Sequence, residues 1–239
     1  MTDKIVIVIP SYEPDKRLVD LCADLYDKGW RNALIVDDGS GPSYRHLFAE
    51  VHRRFGYPVF VHSVNRGKGR ALKDAFREIP GLFPDAIGCV TADSDGQHTP
   101  EDIDKCAQAL LENPEELILG CRKFGGDDVP WKSRIGNELT IRVLGAVCGV
   151  HVSDTQTGLR AIPLSYMQTL LEVPGERFDF ETNMLIYARE TVRIREVPIR
   201  TVYQQGEERV THFRPVRDSV QIYSLFLKYL FRRLSRFFS

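Results

Sequence analysis

Five short apolar runs, at residues 5–9, 33–36, 59–62, 87–90 and 117–120, are rich in β-branched side chains and predict strands. Between them the apolar positions change to helical spacing. Leu18, Leu21, Cys22 and Leu25 mark one amphipathic face, residues 43–55 and 69–79 predict two more helices, and Thr99 followed by Pro100 opens a fourth. Strand and helix thus alternate as far as residue 120, which predicts an α/β, Rossmann-like, mostly parallel sheet flanked by helices. Beyond Gly120 the rhythm changes. A polar, glycine-containing loop spans residues 122–132, and helices are expected over 135–148 and 178–190 with a compact, turn-rich stretch between them. The second half reads as the part that completes a site.

Composition narrows the class. A chain of 239 residues with 43% hydrophobic and 27% charged positions and a net charge of -1 is an ordinary globular chain, expected as one domain over residues 1–216 and a C-terminal amphipathic helix over 217–239. That charge balance predicts no nucleic-acid partner. Cys22, Cys89, Cys106, Cys121 and Cys148 show no CxxC spacing and fall mostly in apolar segments, so reduced core thiols are expected rather than disulfides or zinc. The first apolar run stops at Pro10, too short for a signal peptide, and no run approaches the ~18 apolar residues of a membrane span. A cytoplasmic location is expected.

The chemistry concentrates where strands end. Thr91-Ala92-Asp93-Ser94-Asp95-Gly96-Gln97-His98 places two carboxylates one residue apart directly after an apolar run. In open α/β sheets ligands bind at the carboxyl ends of strands, so Asp93 and Asp95 are candidates to share a hard divalent cation, Mg²⁺ or Mn²⁺, with the phosphates of a substrate. Gln97 extends that ligand set. An acidic turn in which Asp93 caps the next helix is the plain alternative. Three more clusters follow earlier strands: Ile9-Pro10-Ser11-Tyr12-Glu13-Pro14, Val36-Asp37-Asp38-Gly39-Ser40 and Asn65-Arg66-Gly67-Lys68-Gly69-Arg70. A carboxylate after a second strand suits a base or ribose, and a glycine turn entering a helix suits phosphate, with Lys68 beside it.

Taken in order, the segments IPSYEP, VDDGS, NRGKGRA, ADSDGQH, GCRK, RIGNELT and SDTQTGLR resemble those of the family 2 glycosyltransferases of GT-A fold, over roughly residues 4 to 215. Within that family the resemblance is to the polyprenyl-phosphate glycosyltransferases related to dolichyl-phosphate mannose and glucose synthases. It implies a nucleotide-sugar donor held by Pro10, Tyr12, Glu13, Asp38, Lys68 and Asp93, and a metal held by Asp93, Asp95 and Gln97. It also implies a polyprenyl-phosphate acceptor met by Arg122 and Arg134. The Asp-Thr-Gln-x-Gly pattern in Ser153-Asp154-Thr155-Gln156-Thr157-Gly158 tilts the donor toward UDP-glucose over GDP-mannose; the segment has no generic chemical meaning of its own.

A phosphate monoester has a second pKa of ~6, so such an acceptor is already an anionic nucleophile and needs no strong base. A hydroxyl acceptor does need one. Asp179 in Phe178-Asp179-Phe180-Glu181 is the candidate for that rival reaction, while acidic groups at a helix N-terminus also simply favour the helix dipole. A nucleotidyltransferase is disfavoured by the missing glycine-rich loop after the first strand, and a non-catalytic nucleotide-sugar-binding module by the retained acidic pair. Residues 218–239 separate at 100° per residue into an aromatic face and a face with Lys228, Arg232 and Arg236. That pattern suits peripheral attachment at the cytoplasmic membrane face, with docking on the domain or on a second subunit of a homo-oligomer as the alternative.

Overall fold

The computed structural model of the protein describes residues 2–122, 138 and 140–200. Arg134 and the expected C-terminal helix lie outside the described residues. Seven strands form one sheet: β1 (Ile5–Ser11), β2 (Ala33–Asp37), β3 (Val59–Val61), β4 (Gly88–Thr91), β5 (Glu116–Arg122), β6 (Arg160–Pro163) and β7 (Arg193–Ile199). Their order is β3-β2-β1-β4-β6-β5-β7. β1, β2, β3 and β4 run parallel, with Ile7 opposite both Ala33 and Val90. β6 is antiparallel to β4 and β5, and β7 parallel to β5.

The helices are α1 (Lys16–Asp27), α2 (Arg45–Phe55), α3 (Lys68–Leu82), α4 (Pro100–Glu112), α5 (Leu164–Leu170) and α6 (Asp179–Thr191). The α1 N-terminus is capped by Asp15, which accepts from Arg17 N, and Thr99 caps α4 by accepting from Asp102 N. Residues 140–148 are helical as expected, and their last five, Leu144–Cys148, widen to a π-helical turn.

β1 is buried along its whole length because helices cover both faces of the sheet. Ile5, Ile7 and Ile9 pack with Leu18, Cys22 and Leu25 of α1 and Ile103 and Leu110 of α4. Val6 and Val8, on the alternate side, join Ala71, Leu72 and Ala75 of α3 and Phe180 and Met184 of α6. All five cysteines are buried and free, as their apolar settings predict. The chain turns back on itself between β1 and β4: β2 and β3 lie to one side of β1, and β4 and β6 to the other. Such a reversal opens a crevice at the carboxyl ends of the strands.

Two elements differ from the sequence pattern. β7, Arg-Ile-Arg-Glu-Val-Pro-Ile, is an edge strand whose exposed charges hide its alternation. α5 spans only seven residues, too few for a helical period to stand out.

Candidate active site

A cavity of about 630 Å³ opens at the reversal point, lined by residues from the ends of β1, β2 and β4 and from the segments before α3, β6 and α6. Pro10, Tyr12 and Glu13 come from the β1 loop. The Glu13 carboxylate beside the Tyr12 hydroxyl raises that hydroxyl above the ordinary phenol range. Glu13 adopts a left-handed φ of 49°, and its amide donates to Ser40 Oγ at 2.8 Å, which fastens the β1 loop to the β2 loop.

Asp38 also lines the cavity, with its carboxylate engaged by the chain itself. It accepts from Arg66 N at 2.9 Å, Gly67 N at 2.8 Å and Asn65 Nδ2 at 3.0 Å, and His62 Nδ1 lies 2.7 Å away. The far side of the His62 ring meets Asp74 of α3 at 3.1 Å. Asp38 therefore binds the loop that leads into α3. Gly39 is required for this: a Cβ there would sit 2.2 Å from the Val64 carbonyl carbon.

The acidic pair follows β4. Ala92 N bonds to Val8 O at 3.0 Å, and Ser11 Oγ donates to Ser94 Oγ at 3.0 Å, holding the turn against β1. Asp93 faces Lys68 at 2.7 Å, and the same ammonium reaches Glu181 of α6 at 3.0 Å. Burial alone would raise the Asp93 pKa; the Lys68 ammonium and the His98 ring reverse that and hold the carboxyl well below the usual range. Burial likewise opposes the charge on Lys68, but Asp93 and Glu181 together raise its pKa. Asp95 moves the other way, raised first by burial and then by the charge on Asp93. Its oxygens accept from Gln97 N at 3.0 Å and Gln97 Nε2 at 2.6 Å.

This donor set fits a hard divalent ion. Among the described residues no cluster of three or more His, Cys, Asp or Glu forms a metal cage. Mg²⁺ needs none, since one or two carboxylates plus substrate phosphates are its usual ligands. His98 is buried, 3.5 Å from Asp93, with neither ring nitrogen hydrogen-bonded, so a polar group of this site has spare capacity.

The Asp154–Arg160 segment acquires a physical meaning here. Asp154, fully buried, takes both prongs of the Arg122 guanidinium, Nε at 2.6 Å and Nη2 at 2.9 Å. Thr157 Oγ1 donates to Gly120 O at 2.6 Å. Arg160, 1% exposed, bonds to the carbonyls of Thr157 and Glu181, joining this turn to α6. Gly158 lies flat against Asp93: a Cβ would stand 2.3 Å from Oδ2. The segment is a bracket behind the acidic pair.

Of the residues expected from the sequence, Pro10, Tyr12, Glu13, Asp38, Lys68, Asp93, Asp95 and Gln97 share the cavity. Arg122 is turned to Asp154, and Asp179 accepts from Arg177 N at 3.0 Å; neither lines the cavity. Arg17, Asn65, Gln156, Arg177 and Phe178 line it without being expected as ligand-binding residues. Asn65 and Gln156 stand inside motifs already singled out, whereas nothing in the local sequence marks Arg17.

Residues 6–186 match the family model described as Glycosyl transferase family 2. The chain belongs to that family. This glycosyltransferase is 28% identical over 208 residues to an uncharacterized protein of Methanocaldococcus jannaschii, spanning 85% of this chain and 83% of the other. It is 28% identical over 224 residues to a UDP-N-acetylglucosamine–dolichyl-phosphate N-acetylglucosaminyltransferase of Methanococcus voltae, spanning 86% of this chain and 88% of that one. A dolichyl-phosphate beta-glucosyltransferase of Saccharomyces cerevisiae is 25% identical, over 81% of this chain and 65% of its own. Among solved structures, glucosyl-3-phosphoglycerate synthase from Mycobacterium tuberculosis, in complex with Mn²⁺, UDP and glucosyl-3-phosphoglycerate, superposes with a TM-score of 0.69 at 17% identity. That superposition covers 96% of the glycosyltransferase and 79% of the synthase, and it shows the shared GT-A fold.

Proposed function

We propose that the glycosyltransferase moves a hexose from a nucleotide sugar, UDP-linked in preference to GDP-linked, onto a polyprenyl phosphate at a membrane face, with Mg²⁺ or Mn²⁺ as cofactor. The observation that carries the reading is the gathering of Tyr12, Asp38, Lys68 and the Asp93/Asp95 pair around a cavity at the reversal point of the sheet. The relatives from Methanococcus voltae and Saccharomyces cerevisiae, named for dolichyl phosphate, support the acceptor class.

In this reading the β1 and β2 loops hold the nucleoside, and Asp93, Asp95 and Gln97 hold the ion. The ion supplies charge neutralisation for the departing nucleoside diphosphate. Lys68, fixed between Asp93 and Glu181, adds a second cation beside the leaving group. A phosphate oxygen of the acceptor attacks the anomeric carbon as the bond to the diphosphate breaks, and the configuration inverts. The protein aligns two anions and screens their repulsion; it removes no proton. Of the two arginines assigned to the acceptor by resemblance, Arg134 keeps that role, while Arg122 serves by fixing the bracket through Asp154. No helix among the described residues is long and apolar enough to cross a membrane. Attachment is assigned to the basic, aromatic pattern of residues 218–239.

The test incubates the full chain with Mg²⁺ or Mn²⁺ and a panel of nucleotide sugars, offering polyprenyl phosphate, polyprenol or soluble glycans, and identifies products by mass. A hexosyl-phosphoryl-polyprenol formed only with the phosphorylated lipid is expected. Transfer to polyprenol or glycan, with none to the phosphate, would replace this reading with the hydroxyl-acceptor reaction.

A further inference from the structure

We propose that Arg177 binds the phosphate monoester of the acceptor, an inference that rests on the lipid-phosphate reading above. The sheet order fixes where an acceptor enters. The nucleoside end of the cavity is built by β1 and β2, and the acidic pair follows β4. Beyond β4 the wall changes to Gln156 before β6 and to Arg177 and Phe178 before α6. A nucleotide sugar anchored at the first end and by its diphosphate at Asp93 and Asp95 directs its hexose, and the approaching nucleophile, toward that second wall.

The cations around this cavity are not equivalent. Arg17 is paired with Asp15 at 2.6 Å, and Lys68 with Asp93 at 2.7 Å and Glu181 at 3.0 Å. Just outside, Arg70 is paired with Glu176 at 2.5 Å and Arg122 with Asp154 at 2.6 Å. Arg177 alone among the described arginines and lysines lining the cavity has a side chain with no carboxylate in pairing distance. Its backbone is held nonetheless, and its stem, in an exposed residue, lies against Gly67. The amide donates to Asp179 Oδ1 at 3.0 Å, the carbonyl accepts from Phe180 N at 3.2 Å, and Cγ rests on Gly67, where a Cβ would come within 2.6 Å. A planar fork with no carboxylate partner, on a stem that lies against the glycine preceding Lys68, is suited to a dianion. Phe178 next to it offers apolar surface to the first carbons of a prenyl chain.

The sequence offers Asp179, in this same region, as the base of a hydroxyl-acceptor reaction. With that carboxylate bound to the Arg177 amide, the charged group facing the cavity from this segment is a cation, which suits an anionic nucleophile.

Steady-state transfer should be compared for wild type, Arg177→Ala and Arg177→Lys with a short-chain prenyl phosphate, the matching prenol and glycerol 3-phosphate, alongside calorimetric titration of nucleotide with Mn²⁺. The expected result for Arg177→Ala is a rise in KM for prenyl phosphate of about 10- to 100-fold, partly recovered by Lys, with nucleotide affinity within about twofold of wild type. The prenol should not compete. Glycerol 3-phosphate should compete weakly in the wild type and lose that competition in the Ala variant, because the phosphate is shared and the chain is not. An unchanged acceptor KM, or a loss of nucleotide affinity equal to the loss of acceptor affinity, would overturn the assignment. Wild type that uses no prenyl phosphate at all would instead remove the lipid-phosphate reading, and this inference with it.

Discussion

Replacing Gly158 by alanine tests the site through one added methyl group. The new Cβ would lie 2.3 Å from Asp93 Oδ2, 2.9 Å from Cγ and 3.0 Å from Oδ1, so the whole carboxylate stands in its way. The backbone does not protest, because Gly158 is not among the glycines with positive φ. Asp93 cannot swing freely either, since Lys68 holds Oδ1 at 2.7 Å and His98 borders Oδ2 at 3.5 Å. The carboxylate must retreat by roughly 1 Å, a displacement that costs on the order of 100-fold in rate at a reacting centre. Overpacking should lower stability by about 1–3 kcal/mol. Gly81, in the last turn of α3, serves as the control, because a methyl group added there would meet nothing within 4 Å; Gly81→Ala should be neutral or stabilising by up to about 1 kcal/mol. The assay pairs thermal unfolding with kcat/KM at saturating and limiting Mn²⁺. A Gly158→Ala enzyme with wild-type kcat/KM and wild-type metal dependence would refute the claim that this glycine sets the position of Asp93.

Asp95→Asn should abolish metal-supported transfer at nearly constant volume, and Mn²⁺-dependent nucleotide affinity should fall with it; full turnover at limiting metal would remove Asp95 from the ion site. Arg122→Ala leaves the fully buried Asp154 without its fork, so unfolding free energy should drop by about 3–5 kcal/mol, and a variant as stable as wild type contradicts the bracket. Burial pushes the Cys22 and Cys106 thiols up to about 12. Both are protonated in the fold at pH 8 and titrate near 9.0 when unfolded, so their contribution to stability holds below about pH 9 and declines above it; alkylation at pH 8 should follow unfolding, and rapid labelling of the folded protein would contradict their burial. Residues 218–239 should carry binding to anionic liposomes, with Lys228→Glu/Arg232→Glu cutting partition roughly thirtyfold; equal flotation of wild type, that variant and a chain ending at Arg217 would make the segment structural.

Sequence pattern reaches as far as its signals are local. β1, β2 and β4 are continuous apolar runs because both faces of the sheet are covered, and α4 announces itself through Thr99 and Pro100. The same logic places the β1, β2 and β4 loops at one end of a parallel sheet, so Tyr12, Asp38 and Asp93 are expected to meet before any contact is known. β6 breaks the parallel pattern, and its antiparallel pairing with β4 sets Thr91 opposite Arg160, 69 residues along the chain. Lys68, expected beside phosphate, is found bound to Asp93 and Glu181, and only the packing of α3 against α6 brings the latter near.

Asp179 and Glu181 show why some of the site stays illegible. Both are acidic and both fall in the first turn of α6; the sequence offers Asp179 as the candidate base and reads Glu181 first as a helix-dipole residue. Two positions apart in a helix, they point about 200° away from each other, so they cannot face the same neighbour. Which one meets Lys68 depends on the rotation of α6 about its axis, and that is set by Phe180 and Met184 entering the core beside Ala71 and Leu72. The rotation gives Glu181 to Lys68 at 3.0 Å and turns Asp179 back to the Arg177 amide at 3.0 Å. Neither carboxylate is among the residues that line the cavity, where a base for a hydroxyl acceptor would have to reach its proton. An anionic acceptor makes no such demand, and the packing of one helix thereby weighs against the rival chemistry that its sequence leaves open.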